Sequence, residues 1–212
     1  QTEGPWGASG DVLNYTVVNN NGVSKYAIRK LPYTAKYVDR VAGIGIPYST
    51  YTIFTTDETL MVRAEAKALL GRYEEALADL NLELSVFSKK GVQLTLQGIQ
   101  DFYKGVKYYT PERPTPRKEL HVTPALEATT QEPLLQAILQ LRRILTIHEG
   151  LRMQDIKRYG ITIYRRRVNV SNVVEAVTDK MEARDPRLAI QIPQDVISAQ
   201  LEPNPRNGAK TN

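Results

Sequence analysis

The sequence predicts a mainly α-helical fold, in which a helix pair packs with a long helix, accompanied by a small β-hairpin and extensive loops. Apolar residues recur at helical spacing in two segments, 55–90 and 130–160, and prolines and glycines interrupt the rest. We treat 1–212 as a single domain with five regions: 1–54 (extended, loop-rich), 55–90 (helix pair), 91–129 (loops), 130–160 (helical) and 161–212 (short strands and loops).

Composition limits the classes of function. The 212 residues include no cysteine, which excludes a disulfide scaffold, a thiolate metal site and a cysteine nucleophile. Hydrophobic residues make up 42% of the chain, as in ordinary globular proteins, and no apolar run approaches the roughly 20 residues that cross a bilayer. The net charge of +5 permits nucleic-acid binding without requiring it, and we expect no nucleic-acid partner.

In region 1–54, turn residues at 19–22 separate two β-prone stretches, 12–18 and 23–28, which predicts a hairpin. In region 55–90, Thr55 and Glu58 form a capping box that begins a helix of about four turns, and Gly71 ends it. A second helix starts near Tyr73. Because a single Gly–Arg step joins the two helices, they must fold back as an antiparallel pair.

The second helix of the pair is predicted to be amphipathic. Its core face carries Leu77, Leu80, Leu84 and Phe87, and its polar face carries Glu74, Glu75, Asp79 and Glu83. On the contact between the helices, small residues allow a close approach, namely Ala64, Ala68 and Ala76.

Region 91–129 is the least regular, with a short helix near 95–103 and a scatter of tyrosines and basic residues. In region 130–160, Pro133 lies in the first turn of a helix that opens at Thr130, and Gly150 interrupts the helical pattern. The core stripe of this helix is Leu134, Ile138, Leu141 and Leu145, and His148 continues it, so we expect His148 to be packed. Further on, we predict strands at 161–170 and 190–192, an undecided segment at 172–181 and a short helix at 193–197.

Segment 64–81 resembles the centre of a tetratricopeptide repeat. The small and large residues that this repeat places across its helix pair are matched by Ala64, Gly71, Tyr73, Ala76 and Leu80. One such unit is not a solenoid, because a stack needs neighbours to bury its faces.

A longer series of landmarks resembles the C-terminal half of the SusD/RagB family, the nutrient-binding lipoproteins on the outer face of the Bacteroidetes outer membrane. The series runs from Arg-Ala-Glu-Ala at 63–66 through Leu-Arg-Arg at 141–143 to Asp-Pro-Arg at 185–187. The most specific string is 149–160, which contains Glu149, Gly150, Arg152, Asp155 and Arg158. The chain is thereby interpreted as the C-terminal portion of such a protein, with an unusually short relative as the alternative.

This resemblance implies a non-catalytic protein without a cofactor that captures glycans, or peptides in some relatives, at the cell surface. Its partner would be a TonB-dependent outer-membrane transporter of the SusC type. The full-length protein would be held at the outer membrane, facing outward, by an N-terminal lipid anchor that this chain does not include. The alternative function is a tetratricopeptide-type adaptor that binds peptides, and an upstream lipidation signal would separate the two.

Sugar binding needs flat aromatic faces and planar polar groups. The candidate ligand residues in loop-like sequence are Trp6, Tyr48 and Tyr51, and a second set is Tyr103, Tyr108 and Tyr109. The competing interpretation is that each ring covers the helical core. The four charges at i+3 spacing, Glu149, Arg152, Asp155 and Arg158, are interpreted as ion pairs along one helix rather than as acid–base catalysts. Neither His121 nor His148 has partners at metal-site or triad spacing.

Overall fold

The computed structural model describes residues 3–8, 12, 16–20, 23–27, 34–48, 52–89, 91–171 and 173–206. Its strands are β1 (Thr16–Asn20), β2 (Val23–Ala27), β3 (Thr34–Asp39), β4 (Ile44–Tyr48), β5 (Ile163–Val168) and β6 (Val174–Met181). Its helices are α1 (Thr56–Leu69), α2 (Tyr73–Phe87), α3 (Leu96–Gly105), α4 (Gln131–Leu145), α5 (Arg152–Tyr159) and α6 (Gln194–Ser198), with a 3₁₀ turn at Pro186–Leu188. The predicted mainly helical class is confirmed for this part of the chain.

The strands form two-stranded antiparallel sheets, β1–β2, β3–β4 and β5–β6. The predicted first hairpin is confirmed, and its pairing extends into the predicted turn, because Asn19 and Asn20 pair with Ser24 and Val23. The undecided segment 172–181 becomes β6, and its register with β5 shifts twice. The predicted strand at 190–192 is wrong, since no strand covers these residues. Gln191 instead hydrogen-bonds Asn204.

Helix α1 begins and ends, and helix α2 begins, where the local signals placed them. The Thr55 hydroxyl accepts a hydrogen bond from the Glu58 N–H at 3.2 Å, and Gly71 adopts the left-handed φ of 76° between the helices. Lys67 contacts Glu75 while Arg63, one turn earlier, contacts Asp79, so the two helices run antiparallel. Capping and glycine chemistry therefore determine this hairpin.

The polar face of α2 is only partly solvated, contrary to the prediction. Asp79 is 4% exposed because Arg63 and Lys67 on α1 hold its carboxylate at 2.7 and 2.8 Å. Burial by itself raises the pKa of Asp79, yet these two cations keep it below its usual value. Glu83 is 7% exposed, and burial, with the nearby charge of Asp57, raises its pKa to about 7.

Helix α4 is the centre of the molecule. Almost every residue of it is buried, including polar Gln136 and Gln140, whereas the sequence predicted a single apolar stripe. The reason is that α1, α2 and α3 all contact α4, and the α5 side of the molecule adds a second small core with Leu139. His148 lies beyond the end of this helix with a φ of 70° and is exposed, so its expected packing is wrong. Among the described residues, no helix has the length and apolar character to span a bilayer.

Candidate functional site

Residues from three distant parts of the chain meet in a buried network of charges. The Arg142 guanidinium on α4 donates to the Glu65 carboxylate on α1 at 2.5 Å and also to the Asp155 carboxylate on α5. The Tyr159 hydroxyl donates to the other Glu65 oxygen at 2.5 Å, and Arg158 lies 3.3 Å from the same oxygen. The side chains of Glu65 and Asp155 are each only 1% exposed. The network therefore fastens α1, α4 and α5 together.

Burial dominates the electrostatics of this network. It raises the pKa of the Asp155 carboxyl, and the charges of Arg142 and Arg152 oppose that shift. Burial also raises the pKa of Tyr159, and the bond to Glu65 adds to the effect. Among the described residues, the Arg142 Nε is the one buried side-chain polar atom without a hydrogen-bond partner. The tight burial and these pairings fit a structural role better than a catalytic one.

The i+3 charges of α5 pair mainly with other elements rather than with one another. Asp155 does contact Arg152 along the helix at 3.4 Å, as predicted, but its closer partner is Arg142. Arg158 reaches Glu65, which lies on α1. Glu149 and Gly150 precede the helix, where Gly150 adopts a left-handed φ of 78°. The predicted ion pairs along the helix are thus only a small part of the contacts that these charged residues make.

The loop that follows α3 is organised by Arg117. Its guanidinium donates to the carbonyl of Tyr103 at 2.9 Å and to the Glu132 carboxylate at 2.7 Å, and it lies over the ring of Tyr108 at 4.2 Å. Burial lowers the pKa of Arg117, but the Glu132 carboxylate outweighs that effect and raises it. One face of the Tyr108 ring is therefore covered, and the residue remains 40% exposed.

Lys118 holds the next tyrosine in the same way. Its ammonium group lies 3.5 Å from the centre of the Tyr109 ring and donates to the Thr115 carbonyl at 2.8 Å. Tyr109 also stacks on Tyr164 of β5, with ring centres 5.9 Å apart. Burial, together with the positive charges of Arg143 and other arginines, lowers the pKa of Lys118 to about 7. Tyr109 is consequently engaged within the fold.

A cleft of about 370 Å³ opens beside this loop. Phe102 and Val106 from the end of α3 supply apolar surface, and Lys107, Arg113 and Glu3 supply charged groups of both signs. The volume falls within the range of small-molecule sites, about 300–1,000 Å³. The predicted ligand residue Tyr108 does not line this cleft, and the aromatic ring that does is Phe102. The cleft thus combines an aromatic ring with polar groups suitable for sugar hydroxyls.

The structure separates the other predicted ligand residues. Trp6 is 3% exposed and belongs to the hydrophobic core, so its ring is not a platform for a ligand. The short bridge between Gly4 and Gly7 turns the chain around that ring. Tyr48 is 54% exposed on β4, and Tyr51 lies outside the described residues. Tyr103 is buried and donates its hydroxyl to Gln140 at 2.8 Å.

Sequence reasoning recognised the basic scatter of region 91–129 but not the roles of its members. Arg117 and Lys118 belong to this scatter, and each covers a tyrosine ring. The available signal was the mixture of tyrosines and basic residues in 103–118, which is typical of cation–π contacts.

Within the described ranges, no group of three or more His, Asp or Glu side chains is arranged to hold a metal ion. When the chain was compared with protein-family models, curated proteins and solved structures, no significant match was found.

Proposed function

We propose that this chain is part of a non-catalytic, cell-surface nutrient receptor of the SusD/RagB type, which binds glycans and passes them to a TonB-dependent outer-membrane transporter. On this proposal the protein needs no cofactor and is held at the outer membrane by a lipid anchor on a preceding segment. The ligand is an oligosaccharide.

The observation that supports the proposal is that residues from three of the sequence strings that resemble the family contact one another. Glu65 comes from the string at 63–66, Arg142 from the string at 141–143, and Asp155 from the string at 149–160. These three side chains bond directly, although Glu65 and Arg142 are 77 residues apart. Strings that only resembled a family by chance would have no reason to select residues that share one buried network.

The helix pair α1–α2 agrees with the tetratricopeptide-like scaffold that the proposal requires. The helices are antiparallel, and Ala64, Ala68 and Ala76 are fully buried. Small buried side chains let two helices approach closely, as the repeat requires. Both helices of the pair pack against α4, so a single unit is stabilised without a stack of repeats.

The cleft beside Lys107 and Arg113 is the proposed glycan site, and Phe102 supplies its aromatic ring. A pyranose ring has an apolar face that suits an aromatic ring and hydroxyls that suit planar charged groups. Because a preceding segment would complete the receptor, we expect binding by this chain alone to be weak.

The proposal is tested by screening the full chain on a glycan array and titrating each hit by calorimetry. Phe102→Leu, which removes the ring and keeps an apolar side chain, should weaken binding about threefold to tenfold, since an aromatic contact contributes roughly 0.5–1.5 kcal/mol. Phe54→Leu, which changes an exposed phenylalanine outside the cleft, is the matched control and should bind like the unmodified protein. No glycan should be hydrolysed. An array without any reproducible hit, or turnover of a bound glycan, would contradict the proposal.

A second candidate, a peptide-binding adaptor, is favoured by one observation. A shallow groove of about 470 Å³ lies along α2, lined by Leu77, Asn81, Leu82 and Gln93 among others. If this groove binds peptides, the chain should capture a peptide, and Leu82→Glu should abolish that capture and leave glycan binding intact. Glycan binding without any peptide capture favours the receptor.

A further inference from the structure

A second cleft, of about 480 Å³, lies at the opposite end of α5 from Gly150. It is bounded by the C-terminal ends of α1 and α5, by loop 121–126 and by the turn at Ala183 and Arg184. Its polar side chains include His121, Lys157, Arg158 and Arg184, and no aspartate or glutamate lines it. The cleft is therefore lined by three positively charged side chains, Lys157, Arg158 and Arg184.

Two of these cations have no partner in the part of the chain that the structure describes. The side chains of Lys157 and Arg184 make no hydrogen bond or ion pair with a described residue. Arg158 is partly neutralised by Glu65 at 3.3 Å, and His121 is engaged with the Gly160 carbonyl at 3.0 Å. At least two positive charges thus face the cleft uncompensated.

The helix ends do not cancel this charge. Each helix C-terminus carries the equivalent of about −0.5 charge, so α1 and α5 together bring about −1. The last carbonyls of α5 are also engaged, because His121 N–H donates to the Tyr159 carbonyl at 2.7 Å and Gly160 N–H closes the helix. The two unpaired cations therefore outweigh the helix ends, and the cleft remains positive.

Most of the remaining lining is apolar and can contact the face of a ring. Leu69, Val122, Pro124 and Leu126 contribute this surface. A volume of about 480 Å³ suits a short oligosaccharide better than a single inorganic ion. We propose that this cleft binds the carboxylate groups of an acidic oligosaccharide, with Lys157 and Arg184 as the anion-recognising residues. This inference rests on the proposed glycan-binding function and adds a second site, separate from the cleft beside Lys107 and Arg113, with acidic glycans as its ligand class.

The test is a calorimetric titration of the full chain with a galacturonic acid trimer and with a galactose trimer of the same linkage, at low salt. The acidic trimer should bind about threefold to tenfold more tightly, and the difference should shrink at about 0.5 M salt because exposed ion pairs are screened. Lys157→Gln with Arg184→Gln should abolish the difference. Lys36→Gln with Arg40→Gln removes the same charge from the exposed β3–β4 hairpin and should preserve it.

The outcomes separate the two proposals. Equal binding of both trimers, or a preference that survives in the Lys157/Arg184 double variant, overturns the acidic cleft and leaves glycan binding standing. Tighter binding of triglutamate than of the acidic trimer overturns the saccharide class. Absence of binding by both trimers, together with an array without hits, counts against the receptor function and this inference alike.

Discussion

The Arg142 guanidinium and the Glu65 carboxylate are bonded at 2.5 Å across 77 residues of chain, and both side chains are almost completely buried. Two buried charges are tolerated only when each satisfies the other. Since Arg142 also holds Asp155, one side chain on α4 pairs with a carboxylate on α1 and with another on α5. The position of the three helices is therefore tied to this arginine.

Replacement of this arginine should destabilise the fold strongly. In Arg142→Met, Glu65 and Asp155 would stay buried without their main partner, and we expect the free energy of unfolding to fall by about 3–5 kcal/mol. Urea denaturation followed by circular dichroism measures the change. Arg72→Met is the control, because its ion pair with Glu75 is exposed and should matter little. Equal losses in the two variants would contradict a central role for Arg142.

The ammonium group of Lys118 should make stability depend on pH. Its pKa in the folded protein is about 7, below the ordinary value of 10.5, so the unfolded chain binds more protons between these two pH values. Stability from this group should therefore rise from pH 7 to pH 10.5 and stay constant outside that window.

The measurement is the unfolding free energy of the wild type minus that of Lys118→Met at several pH values. Subtraction removes the titrations that both proteins share. We expect the difference to increase with pH between 7 and 10.5. A flat or decreasing difference would show that Lys118 is not desolvated by the Tyr109 loop.

Local signals predicted the helix boundaries well, because the chemistry of an end is contained in a few neighbouring residues. Thr55 and Gly71 are examples, since a side-chain cap and a left-handed glycine act within one turn of their own position. The end of α4 was harder to place. Its apolar spacing continues to His148, but the helix has ended by Thr146, and no adjacent residue signalled the break.

Tertiary partners could not be predicted from spacing. From its position on the polar face of α2, Asp79 would be interpreted as solvated. In the structure, Arg63 and Lys67 of the neighbouring helix bind its carboxylate. The sequence predicted Tyr108 and Tyr109 as candidate ligand residues. It could not predict the cations that cover their rings, because these come from a later part of the same loop. Periodicity describes one element at a time, and these contacts join two.

The bonds of Arg117 should determine the order of the loop that carries Tyr108. In Arg117→Met, the carboxylate of Glu132, a residue 8% exposed, would lose its bidentate partner, and we expect a loss of about 1.5–3 kcal/mol. Arg117→Lys should recover little of this stability, because a single ammonium group cannot bind the carboxylate bidentately as the planar guanidinium does. Hydrogen exchange is the specific readout: the Tyr109 amide, which bonds the Arg117 carbonyl at 2.8 Å, should exchange faster. Unchanged protection of that amide would mean that other contacts hold the loop.

The glycine that ends α5 should be the least replaceable of three glycines. Gly160 has a φ of 59°, and a methyl group there would lie 2.8 Å from the Ala183 Cβ and 3.0 Å from the His121 Cβ. Gly160→Ala should therefore lower the free energy of unfolding by more than the roughly 1–2 kcal/mol that the left-handed conformation costs an alanine. The reason is that neither neighbouring atom is the free end of a flexible side chain. Gly71 also has a left-handed φ, of 76°, but open space surrounds it. Gly71→Ala should therefore lose only the free energy that the left-handed conformation costs. Gly105→Ala in α3 has open space and no left-handed φ, so it should be neutral or slightly stabilising. Urea denaturation of the three variants gives the order, and similar losses for Gly160→Ala and Gly71→Ala would show that the turn at Ala183 yields to the added methyl group.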